Sequence, residues 1–242
     1  MKNCFFYILL FFFTINYNCH AQDNLIPNPG FEEFYDCEFD ILSTPIEEVI
    51  PDWYTRLGRP RYFGEVCSEV FGASLPHATF EGEGFIGIST LSTTIEEEIM
   101  SSRYYMISIL IDSLKVNHDY YIEYYSALTF ADDERHSHHG IVFTNQFINE
   151  TDIAEGIHNP PLKREDALTV DSITFTEVGA WVRHQHCFRA DSSFQFMMVG
   201  NFTHRDSLIH DPWDFGYDSG VLSSYDNFFL AEIEQDVRLD DY

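Results

Sequence analysis

Basic residues are scarce in this chain. Its 242 residues carry 13 Lys and Arg against 40 Asp and Glu, a formal net charge of −27. A field of that sign repels nucleic acid and anionic membranes, so neither is an expected partner. Solubility accounts for most of the charge, and cation binding is the other use it suggests. Helical periodicity is also missing: EEEIMSSRYYM could supply one turn at most. There is no internal repeat and no low-complexity linker. No G-x-S-x-G elbow, H-E-x-x-H pair or phosphate-binding glycine loop occurs. The acidic runs Glu96-Glu97-Glu98 and Asp132-Asp133-Glu134 would alternate between the two faces of a strand. A glycosidase instead needs two carboxylates facing each other about 5–9.5 Å apart. An enzyme is therefore not expected. Past the N-terminus, no run is long and apolar enough to span a bilayer.

Aromatic residues are abundant, at 17% with 23 Phe and 14 Tyr. They favour pleated, half-buried surfaces and exclude a disordered chain. Residues 1–21 read as a cleaved signal peptide. Lys2 is the positive start, Phe5–Ile15 the apolar stretch, and Cys19-His20-Ala21 the cleavage context. A lipoprotein acylated at Cys19 is the alternative, but Tyr17-Asn18 suit it poorly. Export to the cell surface or medium follows, and with it an oxidising compartment. Residues 22–242 are expected to form one domain. Strand signals recur at 103–111, 120–128, 140–145, 172–178, 181–188, 194–202 and 225–233, separated by KVNHD, ADDERHSHHG, HNPP and RADSS. Many strands without alternating helices imply an antiparallel β-sandwich or barrel, with a jelly roll the best fit at this length.

The stretch NLIPNPGFEEF (24–34) is followed in order by Cys37, Trp53, PRYFGEVC, LPHATFEGEGFIGI, SRYYMISIL, YYIEYYSAL, W-x6-F, VGNF and YDNFFL. This succession resembles the galactose-binding-like jelly-roll domain of exported Bacteroidetes proteins, which opens NLxPNPSFE and carries PDYFxxC. It is also similar to carbohydrate-binding modules that begin N-x-x-F-E. The likeness covers nearly the whole chain after the signal peptide. Two departures stand out: the usual terminal Asp-Asp is Asp226-Asn227, and a usually apolar strand position is His184.

The resemblance implies an exported, non-catalytic module that binds carbohydrate or a cell-surface glycan. A structural or protein-interaction sandwich without a sugar site is the alternative, and a polysaccharide-degrading enzyme is a weaker third. It also implies a structural calcium held by Glu32 and an acid on the last strand, here Asp226, because calcium takes roughly six to eight hard oxygen ligands. The competing reading has Glu32 capping a turn and Asp226 bonding backbone amides. The contexts FEEFYDC and RYFGEVC make Cys37 and Cys67 the expected disulfide, leaving Cys187, in a strand, as a buried free thiol. Sugar rings stack on aromatic faces, with acids and amides bonding their hydroxyls. The acidic-aromatic loop 208–218 therefore supplies the expected ligand residues Trp213, Asp214 and Tyr217, with Trp53, after Pro51-Asp52, as a fourth. A lid over the core is the other use of that loop. His184 and His186 share a strand face, but two His make only half a zinc site.

Overall fold

The computed structural model describes residues 23–35, 45–57, 60–64, 79–94, 100–102, 105–131, 138–147, 167–174, 179–202 and 220–233. Among the described residues, a 3-10 turn, Ile46–Glu48, precedes eleven strands. These are β1 Trp53–Leu57, β2 Arg61–Gly64, β3 Gly84–Thr94, β4 Met100–Ser102, β5 Tyr105–Ile109, β6 Asp119–Ala131, β7 His138–Thr144, β8 Ala167–Thr174, β9 Val182–Arg189, β10 Phe196–Gly200 and β11 Gly220–Glu232. One sheet has the order β1-β5-β10-β7-β8 and the other β2-β3-β11-β6-β9, with β4 added on β3. All pairings are antiparallel. From β5 onward the chain changes sheet at almost every connection, as a jelly roll does.

Alternation builds the core. Tyr120, Ile122 and Tyr124 of β6 point inward with Ile86, Ile88, Tyr225, Phe228 and Leu230, and meet Met106, Ile141, Phe143, Met197 and Val199 of the facing sheet. A smaller apolar cluster covers the far side of the five-stranded sheet, where Tyr105, Ile107 and Met198 pack with Tyr54, Phe147, Phe196 and Phe202. Within the sandwich His184 bonds Ser126 at 2.7 Å and stacks on Tyr124, while His139 bonds the Tyr225 hydroxyl.

The opening stretch is not a strand. It is an irregular strap across both sheets. Leu25 donates to the Leu230 carbonyl of β11 at 2.8 Å and accepts from Ile111, just past β5, at 2.9 Å. Pro27 and Pro29 carry no amide to continue a ladder, and side chains take over its work. Asn24 accepts from Leu230 at 2.9 Å and donates to the Phe228 carbonyl at 2.8 Å. Asn28 closes a ring with Glu33 through bonds of 2.8 and 3.1 Å. Asn28 and Phe31 have φ of 41° and 58°, a left-handed pair that turns the Phe31 ring fully into the core.

Candidate functional site

Among the described residues, the outer face of the six-stranded sheet carries a dense set of polar and aromatic side chains. Because Tyr120, Ile122 and Tyr124 face the core, Tyr121, Glu123 and Tyr125 face outward. On β9, Cys187, Gln185 and Arg183 stand opposite them in register. Arg183 donates to Glu123 at 2.6 Å and Gln185 does so at 3.2 Å. The Tyr121 hydroxyl donates to the same carboxylate and accepts from Gln185. The Arg183 bond, with those from Tyr121 and Gln185, holds the Glu123 carboxyl below the usual carboxylate range. The result is a pre-aligned strip of amide, carboxylate, guanidinium and phenol.

Beside this strip lies an aromatic step. Phe80 stacks on Tyr125 with centroids 3.5 Å apart and planes 17° apart, and it remains 37% exposed. Trp181 meets the edges of Phe80 and Phe85 at 6.2 and 5.7 Å. Phe85 in turn stacks on Phe63. Room for these rings comes from small residues at matched positions on three strands, Gly87, Ser224 and Ala127.

The turn that carries Phe80 is held by two carboxylates. β11 bulges between Asp226 and Phe229, with Asn227 in the left-handed region at φ 49°. The bulge leaves Asp226 directly opposite Tyr125, and Asp226 is 0% exposed. It accepts amides from Glu81 at 3.3 Å, from Asn227 at 2.7 Å and from Phe80. Burial, reinforced by the Glu32 charge, raises its carboxyl to about 7, against the opposing pull of those amides. Glu32, on the strap, accepts Glu83 with both oxygens at 3.0 Å and Gly84 at 3.4 Å. Asn227 adds a bond to the Glu81 side chain at 2.8 Å. Gly82 sits at φ 68°, a backbone that favours glycine, and a Cβ there would lie 2.0 Å from the Glu32 carboxylate and displace it.

Glu32 and Asp226 are thus brought to one place. An added Cβ on Gly30 would lie 3.9 Å from an oxygen of each. Both also accept backbone amides, so the turn-capping reading describes contacts that are present. Nearby, the buried Tyr62 hydroxyl has no hydrogen-bond partner among the described residues. Burial first, then the Glu32, Glu83 and Asp226 charges, push its ionisation well above the ordinary phenol range.

The other expected residues fall differently. Trp53 does not face a ligand. It is 0% exposed, packs on Phe31 and Phe228 at 4.9 and 5.4 Å, and donates its indole N–H to the Asn28 carbonyl at 3.1 Å. The strap closes over it, which its neighbours Pro51-Asp52 could not reveal. Trp213, Asp214 and Tyr217 lie outside the described residues, as do Cys37 and Cys67. Cys187 is free, but it is exposed rather than buried, because alternation along edge strand β9 turns it outward. Among the described residues no group of three or more His, Cys, Asp or Glu is placed to hold a metal, and no helix is long and apolar enough to cross a membrane. Sequence reasoning missed Phe80, Tyr125 and the Glu123 strip. Alternation along YYIEYYSAL places Tyr121, Glu123 and Tyr125 on one face, but which face is open depends on the packing of the two sheets.

No family model matches the chain, and no curated protein matches it. Solved structures that resemble it include adhesin domains and carbohydrate-binding modules. The K1 cleaved adhesin domain of Lys-gingipain from Porphyromonas gingivalis W83 aligns at 8% identity over 85% of this chain and 96% of its own, with a TM-score of 0.47. The CBM22-1 xylan-binding domain from Paenibacillus barcinonensis aligns at 12% identity over 88% and 96%, with a TM-score of 0.44. A CBM61 module in complex with β-1,4-galactotriose aligns at 11% over 87% and 99%, with a TM-score of 0.42. The architecture itself stands on the two sheets and their shared core.

Proposed function

We propose that this protein is an exported, non-catalytic module that binds carbohydrate, as an adhesion or glycan-recognition domain, on the outer face of its six-stranded sheet. The observation that carries the reading is the flat, exposed Phe80–Tyr125 step beside the Tyr121–Glu123–Gln185–Arg183 strip. A pyranose needs both parts: an apolar face to stack on and a row of donors and acceptors for its hydroxyls. Arg183 is already matched by Glu123, and the chain is strongly acidic overall, so the ligand is a neutral glycan rather than an acidic one. Incubation of the protein with an array of neutral and acidic glycans tests this. Retention of neutral glycans, lost in Phe80→Ala, is expected. No retention of any glycan would favour an interaction module, for which the exposed Ile109, Ile111 and Val116 are the surface to examine. Release of soluble sugar from a polysaccharide would instead revive an enzyme.

Structural calcium at Glu32 and Asp226 belongs to the same proposal. The donors fit in kind: two carboxylates, one of them fully buried, face one turn, and their oxygens are the hard ligands calcium takes. Backbone carbonyls would complete the shell. The ion would supply charge neutralisation and would tie the strap to the last strand. A Cys37–Cys67 disulfide, stabilising by roughly 3 kcal/mol through its closed loop, also remains a proposal, as does export by the N-terminal signal. Peptide mapping without reduction decides the disulfide, and a Cys187 linkage would overturn it.

A further inference from the structure

We infer that Glu32 and Asp226 are positioning residues for the aromatic step, and that a divalent cation shared by the two carboxylates tunes the sugar-stacking face through the backbone of the 80–84 turn. This rests on the proposed glycan face and adds its regulation. Three observations meet in five residues. Phe80 and Glu81 give their amides to Asp226. Glu83 and Gly84 give theirs to Glu32. Phe80 lays its ring on Tyr125, the cross-strand neighbour of Asp226.

The turn therefore has a carboxylate at each end and the ring at its start. Thr79 closes it by donating to the Gly82 carbonyl at 2.8 Å, and Gly82 allows the left-handed corner. A turn so short has few independent torsions, so a displacement of either carboxylate is passed to Phe80. The two carboxylates belong to elements far apart in sequence, the strap and the last strand. Any cation that draws them together must pull on the turn between them. The buried, unpartnered Tyr62 hydroxyl, facing the charges of Glu32, Glu83 and Asp226, shows that this corner holds polar capacity its described neighbours do not use.

The test is NMR of the full protein with ring-labelled tyrosine. A phenylalanine ring at 3.5 Å shifts the Tyr125 ring signals strongly upfield, and Phe80→Leu identifies them by abolishing the shift. Glu32→Gln and Asp226→Asn are each expected to move those signals at least halfway toward the Phe80→Leu position. Calcium chloride should move them in the wild type and not in Asp226→Asn. Glu32→Gln changes an exposed side chain, so it carries the test if Asp226→Asn does not fold. Unchanged Tyr125 signals in folded Glu32→Gln would overturn the inference. A second arm measures affinity for a glycan retained on the array. Glu32→Gln should weaken it about three- to tenfold and add no further loss to Phe80→Ala, since residues acting through one another are not additive. Additive losses would contradict it. A protein that retains no glycan yet shows the NMR response would sink the carbohydrate reading alone.

Discussion

Asp226 is a carboxylate fully removed from water. Its carboxyl titrates near 7 in the folded chain, whereas an unfolded aspartate titrates near 3.8. Between those values the native state holds a proton that the unfolded state has lost, so stability falls as pH rises across that window. With a chelator present, denaturation midpoints of the wild type should decline from pH 4 to 7. Asp226→Asn, which cannot titrate, should lose most of that slope; an unchanged slope would place the titration elsewhere. Gly82 makes a second prediction at this scale. Gly82→Ala forces a Cβ into a left-handed backbone and into the Glu32 carboxylate. It should cost about 1–3 kcal/mol, measured by urea unfolding. Trp53→Ala, by removing a core ring, should cost about 3–5 kcal/mol. A near-neutral result would return Trp53 to the surface.

The β11 bulge shows what one element contributes. An uninterrupted strand would send Phe228 outward, since side chains alternate. The extra residue keeps Tyr225 and Phe228 both in the core and leaves Asp226 on the outer face. Asn227 supplies the left-handed backbone that this requires. Asn227→Val should cost about 1–2 kcal/mol through that conformation, and Asn227→Gly much less; equal melting temperatures for the two would show that the bulge is unstrained. Elements of this kind mark the limit of the sequence. The aromatic, alternating runs of β5, β6, β7, β9, β10 and β11 were legible because each carries its own period. β3 was not, since GEGFIGI carries three glycines, one of which, Gly84, leaves room for the Tyr62 ring. The strap was not legible either, because Asn24 and Asn28 replace the ladder with side-chain bonds. Which sheet face stays open depends on both sheets at once, and no single segment encodes it.

At the scale of the molecule, the strap and β11, far apart in a very acidic chain, meet at Glu32 and Asp226. The proposed cation would turn the repulsion between them into attraction. Calcium at a hundredfold excess over its dissociation constant should stabilise the fold by about 2.7 kcal/mol. Magnesium should substitute poorly, because it demands a tight octahedron. Glu32→Gln should remove most of the increment, and identical melting curves in calcium and chelator would remove the ion from the account. The central claim is that the outer face of the six-stranded sheet binds a neutral glycan, and one titration tests it most directly. A glycan retained on the array is titrated calorimetrically into wild type and Tyr125→Ala, with melting temperatures recorded alongside. Loss of the platform should weaken binding by about 1–3 kcal/mol while the melting temperature changes little. Equal affinity in the two proteins would contradict the claim.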